Sequence, residues 1–76
     1  MSSDAESDQS ATADSYVQRA ELLAELGRYD EAAAEVGFAL ALEPDNLRAL
    51  LTLARIRLAA GDAARALEAA DEAARL

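Results

Sequence analysis

The sequence predicts an all-α fold made of two tandem helix-turn-helix units, with four antiparallel helices in all. From Asp14 onwards, apolar side chains recur at three- and four-residue steps, which is the period of a helix with one buried face. Gly27 and Gly61 stand 34 positions apart, each just past the end of such an apolar stripe. Glycine enters the left-handed conformation without a Cβ clash, and it therefore often ends a helix. The two glycines thus predict that one structural unit occurs twice.

Residues 1–13 precede the periodic part of the chain and differ from it in composition. They carry three acidic side chains, no basic one, and no large apolar residue after Met1. Such a segment buries too little apolar surface to offset the entropy lost on ordering. We therefore expect a disordered acidic tail over residues 1–13 and a folded domain over residues 14–76. A solubilising role for the tail is favoured over the binding of a basic partner.

The first unit is predicted to contain two helices. The first of them runs from about Ser15 to Leu26, where Gly27 ends it. Asp30 opens the second helix, because a negative charge is favourable at the positive end of the helix dipole. That helix ends at Leu42, since Pro44 lacks the backbone N–H needed to continue it.

The second unit repeats this arrangement. Asp45 or Asn46 is expected to cap a third helix, and Gly61 ends it. Asp62 opens a fourth helix. Because the connections have only three or four residues, neighbouring helices are expected to run antiparallel. The apolar stripe of the fourth helix consists of Ala66, Leu67, Ala70, Ala73 and Leu76.

The two units align when the sequence is shifted by the spacing between Gly27 and Gly61. The other pairs include Ala20 with Ala54, Ala32 with Ala66, and Ala39 with Ala73. A helix, a tight turn and a second helix repeated at this period are the signature of tetratricopeptide repeats. The sequence resembles two such repeats in tandem, at residues 14–46 and 47–76. Characteristic positions of the family are held by Tyr16, Ala20, the GRYDEA segment, Ala39 and Pro44.

The net charge and the missing residue types exclude several classes of function. Fifteen acidic residues against seven basic ones give a net charge of −8, which repels nucleic acids and anionic membranes. Without cysteine there is no thiolate metal site, and without histidine the usual proton shuttle and metal ligand are missing. No apolar segment approaches the roughly 18 residues that suggest a spanning helix. We therefore expect a cytoplasmic protein without nucleic-acid or membrane partners.

Catalysis by this chain would have to rely mainly on carboxylates. Glu21 and Glu25 are four residues apart and so share a helix face, as do Glu31 and Glu35. Paired carboxylates can hold Mg²⁺ or act as acid and base. Exposed acids on helices are far more common, and four short helices offer little interior for a catalytic pocket. We therefore expect no catalytic residue, no metal and no cofactor, and a small carboxylate-dependent enzyme is the least favoured alternative.

The family resemblance implies a function in protein binding. In this family the first helix of each repeat lines a concave groove that accepts an extended peptide or a helix. Residues 14–46 hold eight acids and two arginines, or −6, and residues 47–76 hold four acids and five arginines, or +1. We therefore expect a noncatalytic adaptor that binds a protein or peptide of mixed or basic charge in a groove with one acidic and one basic end. The groove positions that the resemblance implies are Asp14, Val17, Glu21, Ala24, Arg48, Leu51, Arg55 and Leu58.

Two repeats are expected to leave one apolar face uncovered, because each repeat buries its face against the next. A homodimer through the fourth helix would cover this face. The alternative is that the chain is the amino-terminal structural segment of a longer repeat protein. The predicted self-association face consists of Arg57, Leu67, Ala70, Ala74 and Leu76.

Phe38 follows Gly37 at a position where the family tends to be polar. The favoured interpretation is that it packs over Ala34 and Leu42 of its own helix. The other is a convex contact, in which the missing Cβ of Gly37 lets another helix come close.

Overall fold

The computed structural model describes residues 12–76 and confirms the all-α fold. In this part of the chain the helices are α1 (Ala13–Glu25), α2 (Tyr29–Leu42), α3 (Leu47–Ala59) and α4 (Ala63–Ala74), and there is no strand. Helix α3 begins and ends one full repeat after α1, so the repeat seen in the sequence extends to the helix boundaries. Residues 1–11, most of the predicted tail, lie outside the described residues. None of the helices within residues 12–76 is long and apolar enough to cross a membrane.

Both predicted glycine helix ends are confirmed. Gly27 and Gly61 adopt φ values of +77° and +87°. In each case the residue after the glycine donates its backbone N–H to the carbonyl five residues earlier, at 2.9 Å and 2.8 Å. This bond belongs to a Schellman motif and satisfies a carbonyl that the helix itself leaves unpaired. The positive φ favours glycine at both positions through backbone strain alone, since no neighbouring atom lies within 4 Å of where a Cβ would stand.

The beginning of α1 differs from the prediction. The backbone N–H of Ser15 donates to Thr12 Oγ1 at 3.3 Å, and that of Thr12 donates to Ser15 Oγ at 3.0 Å. This capping box starts the helix at Ala13, whose side chain is buried with 2 % exposure. The placement of residue 13 in the tail was therefore wrong. The sequence concealed this start because serine replaces the usual Glu or Gln of the capping box, and alanine adds little to an apolar stripe.

Side-chain caps begin both helices of the second unit. Asn46 Oδ1 accepts a hydrogen bond from the backbone N–H of Ala49 at 2.8 Å. Asp62 Oδ1 accepts one from the backbone N–H of Arg65 at 3.1 Å. Asn46, rather than Asp45, is thus the cap of α3, and the predicted role of Asp62 is confirmed.

The core is built mainly from small side chains. Ala20, Ala32 and Ala39 are fully buried, which lets α1 and α2 approach closely. Helix α3 packs against both α1 and α2, whereas the backbone of α4 comes close to that of α3 alone among the described helices. The second unit is therefore joined to the first through α3. The largest fully buried side chains are Val17, Val36 and Thr52.

Candidate functional site

A depression of about 460 Å³ lies between α1 and α3. Its floor is apolar, because Ile56 is almost fully buried there and Ala24 packs against the core. Acidic and basic side chains from both helices also line it. We call this depression the α1–α3 groove; its lining residues are Glu21, Ala24, Glu25, Tyr29, Thr52, Arg55, Ile56 and Ala59.

One carboxylate of the groove holds two arginines. Arg48 Nη2 donates to Glu21 Oε1 at 3.0 Å, and Arg55 Nη2 lies 3.5 Å from Glu21 Oε2. Arg55 Nη2 also donates to Thr52 Oγ1 at 3.3 Å. These ion pairs are partly exposed, so each contributes only about 0.2–1 kcal/mol to stability. The prediction of one acidic and one basic end is therefore wrong, because the opposite charges meet between the two helices.

Glu25 is a groove carboxylate that remains unpaired. It is exposed, and among the described residues no arginine lies within ion-pair distance of it. Tyr29 lines the same depression and is half-buried against the core. The lining of the groove therefore places an unpaired carboxylate and an aromatic residue next to each other, and a carboxylate forms charge-assisted hydrogen bonds with a cation.

Three of the predicted groove residues, Glu21, Ala24 and Arg55, line this groove. Val17 does not, because its side chain is 0 % exposed and belongs to the core. Its assignment to a binding surface was wrong. The family resemblance implied a groove position for Val17, but a position within a repeat cannot say whether another helix covers that side of α1.

The remaining predicted groove residues lie elsewhere on the surface. Asp14 and Leu58 are exposed and line neither this groove nor the next depression. Helix α3 thus presents two surfaces that share Arg55, one towards α1 and one away from it. The second depression, of about 530 Å³, is lined by Leu47, Arg48, Leu51, Ala54 and Arg55.

The outer surface of α3 is apolar and accessible. Leu47 and Leu51 are 49 % and 45 % exposed, whereas their counterparts one repeat earlier, Ala13 and Val17, are 2 % and 0 % exposed. The sequence analysis missed Leu47, although its pairing with Ala13 under the repeat shift was the signal that could have revealed it. We call the following set the open face: Leu47, Leu51, Ala54 and Leu58 of α3, with Leu67, Ala70 and Ala74 of α4.

Residues 23–75 match the sequence profile of the family described as Tetratricopeptide repeat. That span is more than half of the chain. The chain belongs to the tetratricopeptide repeat family. Comparison with curated proteins gave no match, and comparison with solved structures gave none. Tetratricopeptide repeats generally mediate contacts between proteins, so the general expectation for this chain is a protein partner.

The second tetratricopeptide unit does not present the self-association face as predicted. Arg57 lines a shallow depression together with Glu68 on one flank of α4. Leu67 and Ala74 lie on the opposite flank, with the buried residues of α4 between the two flanks. The assignment of Arg57 to the same face as Leu67 was therefore wrong. Leu76 lies beyond the end of α4 and is exposed, and its role stays a prediction.

The other end of the tetratricopeptide pair carries a cluster of aromatic and charged side chains. The rings of Tyr16 in α1 and Phe38 in α2 have their centroids 5.5 Å apart. The Arg19 guanidinium lies 5.2 Å from the Tyr16 ring centre, and its Nη1 is 3.6 Å from Glu35 Oε1. Phe38 thus contacts a neighbouring helix, which the favoured interpretation did not include, and no atom of another described helix lies within 4 Å of the Cβ position of Gly37. We call Tyr16, Arg19, Glu35 and Phe38 the capped face.

Proposed function

We propose that this chain is a noncatalytic adaptor whose α1–α3 groove binds a peptide or a helix of a protein partner. The observation that carries the proposal is an apolar floor next to Glu25, a carboxylate without an ion-pair partner among the described residues. Membership of the tetratricopeptide repeat family supports a protein as the partner. A cytoplasmic location remains part of the same proposal.

The chemistry of the groove favours a basic partner segment with an apolar anchor. Ala59 is small and leaves room above Ile56, which is apolar and forms the floor. Glu21 is already neutralised by arginines, so Glu25 supplies the charge that remains for a partner. A cation beside Glu25 would form a charge-assisted hydrogen bond, and the Tyr29 ring offers it a second contact. The sequence predicted a partner of mixed or basic charge, and of these two the groove favours a basic one.

Three of the four acidic side chains considered for catalysis are held by arginines, which supports a noncatalytic role. Arg28 Nε donates to Glu31 Oε1 at 2.7 Å, and Arg19 lies 3.6 Å from Glu35. Glu21 is held by its two arginines. Carboxylates held in this way are poorly placed to act together as an acid and a base. Within residues 12–76, no three acidic side chains come together in a way that could hold a metal ion.

Synthetic peptides test the proposal. Short amidated peptides with a leucine anchor next to arginine, alanine or glutamate are titrated into the full chain and followed by amide NMR shifts. The arginine peptide should bind most tightly and shift the amide signals of Ala24, Glu25 and Ala59. Its affinity should fall as the salt concentration is raised. Glu25→Gln should weaken the arginine peptide about threefold and leave the alanine peptide unchanged. Asp14→Asn, an exposed acid of the same helix outside the groove, is the matched control.

A second variant tests the groove by filling it. Ala59→Arg adds a long side chain from an exposed lining position, and Ala41→Arg on α2 adds the same group outside the groove. Loss of peptide binding in Ala59→Arg alone supports the proposal. Equal affinity for the arginine and glutamate peptides, or binding that survives Ala59→Arg, would overturn it.

A further inference from the structure

The open face is the surface that the repeat leaves without a neighbour. In the first unit, Val36 is 0 % exposed and Leu40 packs against the core. Their counterparts in the second unit are Ala70 and Ala74, and in the described part of the chain no helix packs over α4 on that side. Leu67 beside them is 62 % exposed. Exposed apolar side chains at positions whose counterparts are buried in the first unit are typical of a contact with another molecule.

We propose that a second copy of this chain covers the open face through two-fold symmetry, with α3 of each copy lying over α4 of the other. This contact goes beyond the proposed peptide binding and, apart from Arg55 at its border, uses residues of α3 that do not line the α1–α3 groove. Three observations carry it: the sizes of the side chains along the face, the charges at its borders, and the poor fit of the other surfaces that this chain offers.

Side-chain size makes the open face complementary to itself. Leu47 and Leu58 of α3 stand where the first unit has alanines. Ala74 of α4 stands where the first unit has Leu40. The face is therefore raised along α3 and lower along the end of α4. A two-fold rotation about an axis that lies in the plane of the contact, parallel to α3 and α4, places α3 of each copy over α4 of the other, so the raised part of each copy meets the lower part of the other.

The charges at the borders of the open face also match under this rotation. Arg55 borders the α3 side; its side chain is 71 % exposed, although its Nη2 also lies 3.5 Å from Glu21 Oε2, and Asp71 borders the α4 side one turn after Leu67. The rotation brings Arg55 of each copy towards Asp71 of the other, so two ion pairs can form at the rim. Residues 47–76 carry four acids and five arginines, or +1, so the contact joins nearly neutral halves and keeps the acidic first units apart.

Two other surfaces of this chain fit the open face less well. Residues 1–11 contain Met1 as their one large apolar residue, so they offer little to pack against the leucines. If the capped face of another copy covered the open face, the contact would resemble the junction between the two units. At that junction Leu53 of α3 is 8 % exposed, and the residue of the capped face at the equivalent repeat position is Arg19. Burying the Arg19 guanidinium against leucines would remove its hydration. Head-to-tail contacts of that type also continue into an open filament, whereas the two-fold contact closes.

Analytical ultracentrifugation of the full chain tests the two-fold contact. We expect a concentration-dependent equilibrium between monomer and dimer. Leu67→Glu places a charge inside the contact and should raise the dimer Kd at least about tenfold. Leu22→Glu is the matched control, because Leu22 is 61 % exposed on α1, outside the open face, and its replacement should leave the Kd unchanged. Circular dichroism establishes that both variants stay folded.

A charge exchange tests the orientation of the two copies. Arg55→Asp and Asp71→Arg each bring like charges together, so each should raise the dimer Kd about threefold, and the double variant should return it close to the original value. A chain that stays monomeric at every concentration, a dimer that Leu67→Glu leaves intact, or growing filaments would overturn the proposal. These measurements distinguish failure of the dimer proposal from failure of the peptide-binding proposal. Leu67→Glu should not change binding of the arginine peptide, and Glu25→Gln should not change the dimer Kd.

Discussion

The two tetratricopeptide units share one backbone plan, but their equivalent residues touch different neighbours. Helices α1 and α3 have the same length, lie one repeat apart in sequence, and are both followed by a glycine with positive φ. Val17 of α1 is nevertheless 0 % exposed, whereas its counterpart Leu51 of α3 is 45 % exposed. Local interactions form the helix in each unit, whereas the packing of a neighbouring helix decides whether its outer stripe is covered. A residue's place in the array therefore determines its role.

Equivalent positions of the two units also meet each other. Glu21 and Arg55 are repeat counterparts, and their charged groups lie 3.5 Å apart. The first helices of adjacent repeats lie side by side, so positions one repeat apart become spatial neighbours. Opposite charges at such positions form an ion pair between the units, whereas like charges would repel. The charge difference between the units, which we interpreted as polarity of a groove, thus helps to hold the units together.

The largest effect is expected from the same carboxylate placed at equivalent positions of the two units. Val17→Asp buries an unpaired charge and should lower the free energy of unfolding by about 3 kcal/mol or more, close to the whole stability of so small a domain. Leu51→Asp places the group at an accessible site and should change the free energy of unfolding of the monomer by less than about 1 kcal/mol. Urea unfolding at low protein concentration measures both, and equal losses would refute the difference between the units.

An intermediate effect is expected at the glycines. Gly27→Ala and Gly61→Ala should each lower the free energy of unfolding by about 1–2 kcal/mol, because a Cβ is strained at positive φ. Similar losses in the two variants would show that the turns of the two units contribute equally to stability. Gly37→Ala is the control: this residue lies inside α2 with open space at its Cβ position, so the change should stabilise by about 0.5–1 kcal/mol. If the melting temperature shifted in the same direction for all three variants, positive φ would not explain the losses.

The smallest effect is expected from the ion pair between the units. A double-mutant cycle with Glu21→Gln and Arg48→Gln should give a coupling of about 0.2–1 kcal/mol that fades at high salt. The same cycle with Glu25→Gln should give no coupling, since no arginine among the described residues lies within ion-pair distance of Glu25. Equal coupling energies in both cycles would show that Arg48 is attracted to the acidic residues of α1 in general, without dependence on its direct contact with Glu21.

The parts of the fold that sequence analysis predicted correctly depend on short stretches of chain. Gly27 and Gly61 end their helices through hydrogen bonds that span five residues, and Asn46 caps α3 through a bond to the third residue after it. The repeat period also predicted the fold class and the family, both of which are confirmed. Thr12 was missed because its cap uses Ser15, a weaker sequence signal than the usual acidic residue.

The candidate site was predicted only in part. The family resemblance assigned Glu21 and Arg55 to the groove; both line the depression between α1 and α3, and their role in binding stays a prediction. The resemblance also assigned Val17 to the groove, but a position within a repeat does not tell which side of its helix a neighbour covers. Arg57 and Leu67 were joined into one surface although the buried side of α4 separates them. In both cases the missing information was the packing of another helix.

By itself, the sequence determined the four helices, the glycines that end two of them, and the repeat that relates them, because these features arise from contacts within a few residues along the chain. The tertiary structure alone decided that Glu21 binds Arg48, which stands 27 positions away, and that Glu25 is left unpaired beside an apolar floor. It also decided that Val17 is buried while the leucines of α3 are exposed. These properties depend on distances between helices, which packing sets and the helical period does not contain.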